Sequence, residues 1–435
     1  MELTQWLDHI AQVHPREIEL GLERCQRVAT LLGIKKSPVV ITVAGTNGKG
    51  STVGVMEQLL CQAGVAVGSY TSPHIDRFNE RIRLQGQLAS DAMISDAFAR
   101  IEAARGEVSL SYFEFATLAA LLIFQQQAVE VAVLEVGLGG RLDAVNIIDP
   151  DVSVITSIGL DHQDWLGHDR DTISLEKAGI LRPGGWFVCA DTDPPVALQQ
   201  RASTLECRAL YVGHDFQIID SGSENRWNWQ GQSLDGAALT LVCPSFSGLQ
   251  PENVAAALQA LVIAAPELDW GSYTAANTND QPWKPIPGRQ EMRCDRDSGR
   301  RVLFDVAHNP DAITALAGAI GELRDSGRVQ GRVHIVLAIM ADKDVESMLT
   351  ALESEVDIWY IAQVEEPRCM PAVEIGNRLQ RLTSTGSMTC FESVQDAYRA
   401  ACVEAAEDDL VVVAGSFFTV AAVRSFSLDQ ESNCI

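Results

Sequence analysis

The chain has 435 residues, more than one ordinary core accommodates, and two or three domains are expected. Hydrophobic residues make up 46% and charged residues 21%, which excludes a disordered chain. The net charge of -25 argues against nucleic acid or acidic membranes as partners, while a local basic pocket still admits small anions.

In chain order, Val39–Ala44 is an unbroken apolar, β-branched run and reads as a buried parallel strand. A glycine-rich stretch, Gly45-Thr46-Asn47-Gly48-Lys49-Gly50-Ser51, follows it. Val53, Met56, Leu59, Leu60 and Ala63 then recur at helical spacing, with Gly64 as a stop. Residues 113–126 read as a helix, and 131–136 and 152–157 as two more buried strands. The alternation predicts a doubly wound α/β domain. From 211 to 244, short alternating segments separated by Gly, Ser and Asp predict a small antiparallel patch on that domain. Pro282, Pro285 and Pro287 mark a stiff linker. Candidate strands at 302–306, 333–339, 358–362 and Leu410–Ala414 then predict a second, smaller, Rossmann-like α/β domain. The expected division is 1–284, a linker at 285–289, and 290–435.

No run reaches the roughly 20 apolar residues of a membrane span, and Met1–Thr4 does not begin a signal peptide. A cytoplasmic protein is expected. The ten cysteines contain no C-x-x-C pair, which suits neither a zinc site nor a redox dithiol, so reduced, mostly buried thiols are expected.

The glycine-rich stretch carries the clearest chemistry. Its backbone N–H groups and the following helix N-terminus make an anion cradle. Lys49 adds a charge for the outer phosphates, and Ser51 a hydroxyl for phosphate or metal. The stretch departs from the usual G-x-x-x-x-G-K-[ST] pattern, since Val43 replaces a glycine and Gly50 separates Lys49 from Ser51. Alone it says only nucleotide triphosphate. Glu135 ends a strand in Leu134-Glu135-Val136-Gly137-Leu138-Gly139-Gly140-Arg141-Leu142-Asp143, where a carboxylate is equally suited to Mg²⁺ or to a salt bridge. Asp161-His162 follows the next strand. Lys177, in Glu176-Lys177-Ala178-Gly179-Ile180, reads by itself as a surface residue on a helix. Asp305, His308 and Asn309 end the first strand of the second domain and are expected at a domain cleft, with Arg289 supplying a cation.

Residues 45–51, 135–143, 160–162, 176–179 and 304–310 occur together and in this order. In this they resemble the bacterial folylpolyglutamate synthase/dihydrofolate synthase family, relatives of the cell-wall Mur ligases, over nearly the whole chain. The resemblance implies an ATP-dependent ligase that adds L-glutamate to dihydropteroate and to folates through an acyl phosphate. It implies that Thr46, Asn47, Gly48, Lys49, Gly50 and Ser51 bind the ATP phosphates, joined by Asn253, Arg289 and Asp305. Ser72, Glu135 and His162 would ligate Mg²⁺, with two ions expected. Lys177 matches a lysine that is carbamylated in the family and supports the second ion, which reverses its surface reading. His308 would lie near the phosphates or the incoming glutamate.

Ile18, Glu19 and Leu20 resemble a segment lining the pterin site of bifunctional members, and Leu110, Ser111 and Arg141 match further substrate contacts. These favour two activities over polyglutamylation alone. A cell-wall ligase is disfavoured because the chain runs almost at once into the nucleotide loop, leaving no room for a nucleotide-sugar domain of about 100 residues. A non-catalytic nucleotide-binding scaffold is disfavoured because Lys49, Glu135 and His162 are all present. A monomer acting on small molecules is expected.

Overall fold

The computed structural model describes residues 1–16, 19–223, 226–244, 248–271, 284–382 and 387–427. The chain divides into two compact units, Met1–Trp283 and Lys284–Ile435.

The first unit is built on an eight-stranded sheet. Its strands are β1 (Val39–Ala44), β2 (Val67–Tyr70), β3 (Ile82–Leu84), β4 (Gln87–Leu88), β5 (Val131–Glu135), β6 (Val152–Ile155), β7 (Trp186–Cys189) and β8 (Arg208–Tyr211). Their order is β4-β3-β2-β5-β1-β6-β7-β8. The β2-to-β8 part is parallel, and β3 and β4 are antiparallel additions at one edge. Strand β1 sits between β5 and β6 with Ile41, Val43 and Ala44 fully buried, as an uninterrupted β-branched run requires. The chain leaves β1 toward β2 on one side and leaves β6 toward β7 on the other. The carboxyl ends of β1 and β6 therefore flank a topological switch point, where open α/β sheets form their crevice.

The 152–157 run ends as a strand at Ile155, earlier than its composition suggests. Thr156 N–H still bonds Ala44 O at 2.9 Å, and the Thr156 and Ser157 hydroxyls turn to Asn47 O. The expected antiparallel patch is β9 (Gln217–Ser223), β10 (Arg226–Gln232) and β11 (Ala238–Pro244), in the order β11-β10-β9. Fully buried Trp229 donates its indole N–H to Ala255 O at 3.1 Å. Gln232 and Gln259 exchange two bonds, of 3.0 and 2.7 Å. The patch thereby anchors the Pro251–Ala264 helix, whose first turn carries Asn253.

The second unit holds a six-stranded sheet of β12 (Glu291–Cys294), β13 (Arg301–Phe304), β14 (Val333–Leu337), β15 (Ile358–Ile361), β16 (Ser387–Cys390) and β17 (Leu410–Ala414). The order is β12-β13-β17-β14-β15-β16, with only β12 antiparallel to its neighbour. The expected mixed α/β class holds for both units. Edge strands β8 and β16 had no clear signal, because half-exposed strands lack the continuous apolar run of central ones.

Among the described residues, no helix is long and apolar enough to cross a membrane. Cys25, Cys189 and Cys243 are buried free thiols.

Candidate active site

Four adjacent strands, β2, β5, β1 and β6, bring their carboxyl ends to one edge of the first unit's sheet. The loop after β1 carries Thr46, Asn47 and Gly48, and Lys49 opens the Lys49–Gln62 helix. Thr46 N–H donates to Ser157 O at 2.7 Å, and its hydroxyl exchanges bonds with Gly159 O and N–H at 3.2 and 2.9 Å. Asn47 N–H donates to Ser157 Oγ at 3.1 Å, while Asn47 O accepts from Thr156 Oγ1 at 2.6 Å. The end of β6 is thus the floor on which the loop rests. Lys49 Nζ donates to Gly45 O at 3.0 Å and Thr46 O at 3.1 Å, so the ammonium lies folded across the loop. Gly50 is half-buried and Ser51 buried in the first turn of the helix.

Gly48 has φ 85°, a left-handed conformation favouring glycine, and an added Cβ would lie 2.4 Å from Asn253 Nδ2. Asn253 therefore packs directly on the nucleotide loop from within the first unit. Arg289 and Asp305 belong to the second unit.

Glu135 ends β5, is 3% exposed, and accepts Ser72 N–H at 3.0 Å. Ser72 follows β2, so these two expected metal residues are neighbours. His162 has φ 50° and caps a short helix, and its N–H donates to Asp161 Oδ1 at 2.8 Å. Lys177 ends the Arg170–Lys177 helix and is buried. Burial first, and then the Lys49 charge, lower its ammonium to about 7, with Asp161 pulling the other way. The surface reading of Lys177 is thereby overturned. Leu175 and Glu176 on the same turn are exposed and half-exposed, while the Gly137–Asp143 stretch packs on the backbone of Glu176 and Lys177. Gly140 and Gly179 permit that close approach, since a Cβ on Gly140 would sit 2.9 Å from Lys177 O.

Among the described residues, no group of three or more His, Cys, Asp or Glu side chains is arranged to hold a metal ion. The implied set contains only two such side chains, Glu135 and His162. Its other members are the Ser72 hydroxyl and a modified Lys177.

At the substrate end, Ile18 lies outside the described residues. Glu19 accepts from Arg24 NH1 at 2.6 Å and meets His14 Nε2 at 2.9 Å. The His14 contact and the Arg24 charge hold its carboxyl below the usual range, against partial desolvation. Arg24 also reaches Glu114, 3.2 Å away, whose carboxylate accepts Ser111 N–H at 2.7 Å. Ser111 caps the Tyr112–Gln126 helix beside fully buried Leu110. Gly21 N–H donates to Leu142 O at 3.2 Å, which joins half-buried Leu20 and its neighbours to the Gly137–Asp143 stretch. Arg141 is exposed and ion-paired with Glu176 at 2.9 Å.

The sequence reading quoted Asp143 without a role. Asp143 is buried and accepts the Leu138 and Val145 N–H groups at 2.8 and 2.9 Å, shaping the turn after Glu135. Burial raises it to about 6, against the pull of those amides and Lys49. Arg81 was missed altogether. It is nearly buried, lies over the Phe78 and Tyr112 rings, and donates to His74 Nδ1 at 2.8 Å. Phe78 lies only three residues before it, but Tyr112 and the buried setting come from the fold, so the local sequence does not mark the cation.

In the second unit, Asp305 follows β13 and accepts Ala307 and Gln290 N–H at 2.8 and 3.0 Å. Burial raises its carboxyl, opposed first by Arg289. His308 Nδ1 meets Val306 O at 2.9 Å; a carbonyl only accepts, so Nδ1 carries the proton. Arg289 and His308 both lie against the Phe417 ring, with centroid separations of 5.1 and 6.0 Å. Asn309 caps the Pro310–Asp325 helix through Ala312 N–H at 3.0 Å. Arg289, Asp305 and His308 are thus gathered within this unit.

Residues 43–260 match the Mur ligase middle domain and residues 288–417 the Mur ligase glutamate ligase domain. With the nucleotide loop, these two matches define a Mur-type ligase. The chain is 40% identical over 427 residues to the dihydrofolate synthase/folylpolyglutamate synthase of Escherichia coli (strain K12), covering 97% of this chain and 94% of that one. It is 34% identical over 439 residues to the Haemophilus influenzae protein of the same name, covering 96% of each. The structure of E. coli FolC in complex with DHPP and ADP superposes with a TM-score of 0.88 at 39% identity, over 98% of this chain and 97% of that one. The Yersinia pestis bifunctional folylpolyglutamate synthase/dihydrofolate synthase complexed with AMPPNP and Mn ion gives 0.85 at 39%, over 98% of each. This chain belongs to the dihydrofolate synthase/folylpolyglutamate synthase family.

Proposed function

We propose that the protein is a bifunctional, ATP-dependent ligase that joins L-glutamate to dihydropteroate, giving dihydrofolate, and to reduced folates, extending their glutamate tail. The carrying observation is the meeting, at one sheet edge, of the nucleotide loop with Glu135, His162 and a buried lysine whose ammonium is lowered to about 7. The reading also takes the protein as a cytoplasmic monomer acting on small molecules, not on nucleic acid or membranes. The family and the net charge of -25 support this.

The substrate carboxylate attacks the γ-phosphorus of ATP. A carboxylate–phosphorus bond forms as the β,γ-bridging bond breaks, and ADP leaves. The glutamate amine then attacks the acyl carbon and loses its proton. The acyl carbon–oxygen bond breaks, releasing phosphate and the amide. No protein nucleophile is required, so the chain's contribution is placement and charge stabilisation.

The loop amides and Lys49 hold the phosphates, with Gly50, Ser51 and Asn253 completing the cradle. Arg289 and Asp305 are the ATP contacts from the second unit, and His308 orients the incoming amine. Ser72, Glu135 and His162 are the residues that would hold Mg²⁺, and buried Glu135 fits a hard cation. When bound, Mg²⁺ neutralises charge building on the transferring phosphoryl group. A buried amine lowered to about 7 has the neutral fraction that reacts with CO₂, which supports a carbamate on Lys177. Glu19, Leu20, Leu110, Ser111 and Arg141 line the pterin end.

The test is phosphate release with ATP, Mg²⁺ and L-glutamate, run separately with dihydropteroate and with a reduced folate. Turnover with both supports the bifunctional enzyme. Turnover with the folate alone leaves a polyglutamylating enzyme and removes the reading of Glu19 and its neighbours. Turnover with neither sinks the ligase assignment.

A further inference from the structure

Ile158 lies between Ser157 and Gly159, the two residues whose backbone groups hold Thr46. Its own peptide groups do not join the sheet ladder. Its N–H donates to Asp191 Oδ2 at 2.6 Å, and its carbonyl accepts from Arg170 Nε at 2.8 Å. Buried backbone groups that leave a ladder must find partners, and here both are side chains. Asp191 is 6% exposed and follows β7, the next strand of the sheet. Arg170 also reaches Asp191 at 3.2 Å and, through Asp193, a carboxylate at 3.1 Å and a carbonyl at 2.8 Å.

One three-residue stretch therefore bonds the nucleotide loop on one side and, on the other, an ion pair between half-exposed Arg170 and buried Asp191. Arg170 is moreover the first residue of the helix that ends at Lys177. The same guanidinium ties the floor of the nucleotide loop to the start of the helix bearing the buried lysine. A planar five-donor fork can hold the Ile158 carbonyl and two aspartates together, whereas an ammonium is a single point.

We propose that Arg170 and Asp191 are positioning residues that clamp Ile158 and so set the phosphate-binding conformation of the nucleotide loop. The inference rests on the nucleotide-loop reading above. The pair itself touches no substrate in that reading.

The experiment uses the full chain and equilibrium binding of ADP with Mg²⁺, alongside the Michaelis constants for ATP and dihydropteroate and thermal unfolding. Asp191→Asn keeps an acceptor for Ile158 N–H but loses the charge that holds Arg170. Arg170→Lys keeps the charge but not the fork. Each is expected to weaken ADP binding and raise the ATP KM about five- to tenfold, with the dihydropteroate KM held within about twofold. The combined variant is expected to lose less than the product of the two, because they act as one unit. ADP affinity within about twofold of the parent in both single variants overturns the clamp, as does a parallel rise in both Michaelis constants, which marks general loosening. Loss of folding in both variants overturns it equally, since a clamp confined to one loop leaves the core intact. Lys49→Ala run beside them separates the two ideas: parent-like ADP binding there overturns the nucleotide-loop reading, and the clamp with it.

Discussion

Gly179 and Arg141 meet backbone to backbone: a Cβ on Gly179 would sit 2.3 Å from the Arg141 Cα and 2.8 Å from its N. Backbone atoms cannot swing aside as a side-chain tip can. Arg141 N–H also donates to Glu176 O at 2.8 Å, so this contact seats the Gly137–Asp143 stretch on the helix end that carries Lys177. Gly179→Ala is expected to cost about 1–3 kcal/mol of stability, the usual range for overpacking. Turnover is expected to fall further than stability alone explains. Urea unfolding together with the phosphate-release assay checks this. Parent-like turnover in the alanine variant would show that the contact is not needed for the site.

Lys49 Nζ rests on Gly45 O and Thr46 O, ready to transfer to phosphate oxygens. Lys49→Ala removes a half-buried charge and leaves the Lys49–Gln62 helix packed through Val53, Val55 and Met56. Turnover is expected to drop at least about a hundredfold, as for loss of one preorganised donor at a developing charge. The melting temperature is expected to stay close to the parent's. Near-normal ligation would remove the phosphate-binding assignment.

Lys177 gives a pH signature with a definite sign. Its ordinary value of 10.5 is lowered to about 7 by burial and the Lys49 charge. Below that value the amine is charged in both folded and unfolded chains, and the folded state carries the full cost of the buried charge. Between the two values the unfolded chain holds a proton that the folded chain has released, so stability rises with pH across that window. Lys177→Met is expected to gain most over the parent at acidic pH and to lose that advantage as pH rises. Urea unfolding at about pH 6, 8 and 10 with CO₂ excluded measures it. A constant difference would mean that the amine is not held neutral.

The carbamate itself is tested separately. Lys177→Ala is expected to lose metal-dependent turnover and to regain part of it with a short added carboxylate. Intact-protein mass with CO₂ retained should show one added CO₂ on the parent chain. An unmodified mass in an active preparation would count against the modification.

Glu19 is held by His14 Nε2 at 2.9 Å and by Arg24 at 2.6 Å. Glu19→Ala is expected to raise the dihydropteroate KM about tenfold while leaving the ATP KM within about twofold. Equal rises in both constants would place Glu19 in folding rather than in the pterin end.

The strand–loop–helix from Val39 to Gln62 was legible because its signals are local: a β-branched run, glycines where the chain turns, and apolar residues at helical spacing. The same holds for Glu135 at its strand end and for the composition shift into β9–β11. The burial of Lys177 was not legible. Its own turn carries exposed Leu175 and half-exposed Glu176, and the lysine's burial arises only in the folded unit. Nor was the contact of Asn253 with Gly48, which depends on the small sheet fixing the Pro251–Ala264 helix. Nor, again, was the way the Thr156 and Ser157 hydroxyls at the end of β6 hold Asn47 O. Propensity and periodicity act between neighbours along the chain, so the sequence by itself determined the elements and their order. Desolvation and close backbone approach act between residues far apart in sequence, so the tertiary structure alone decided which charges were buried and which loops rest on which.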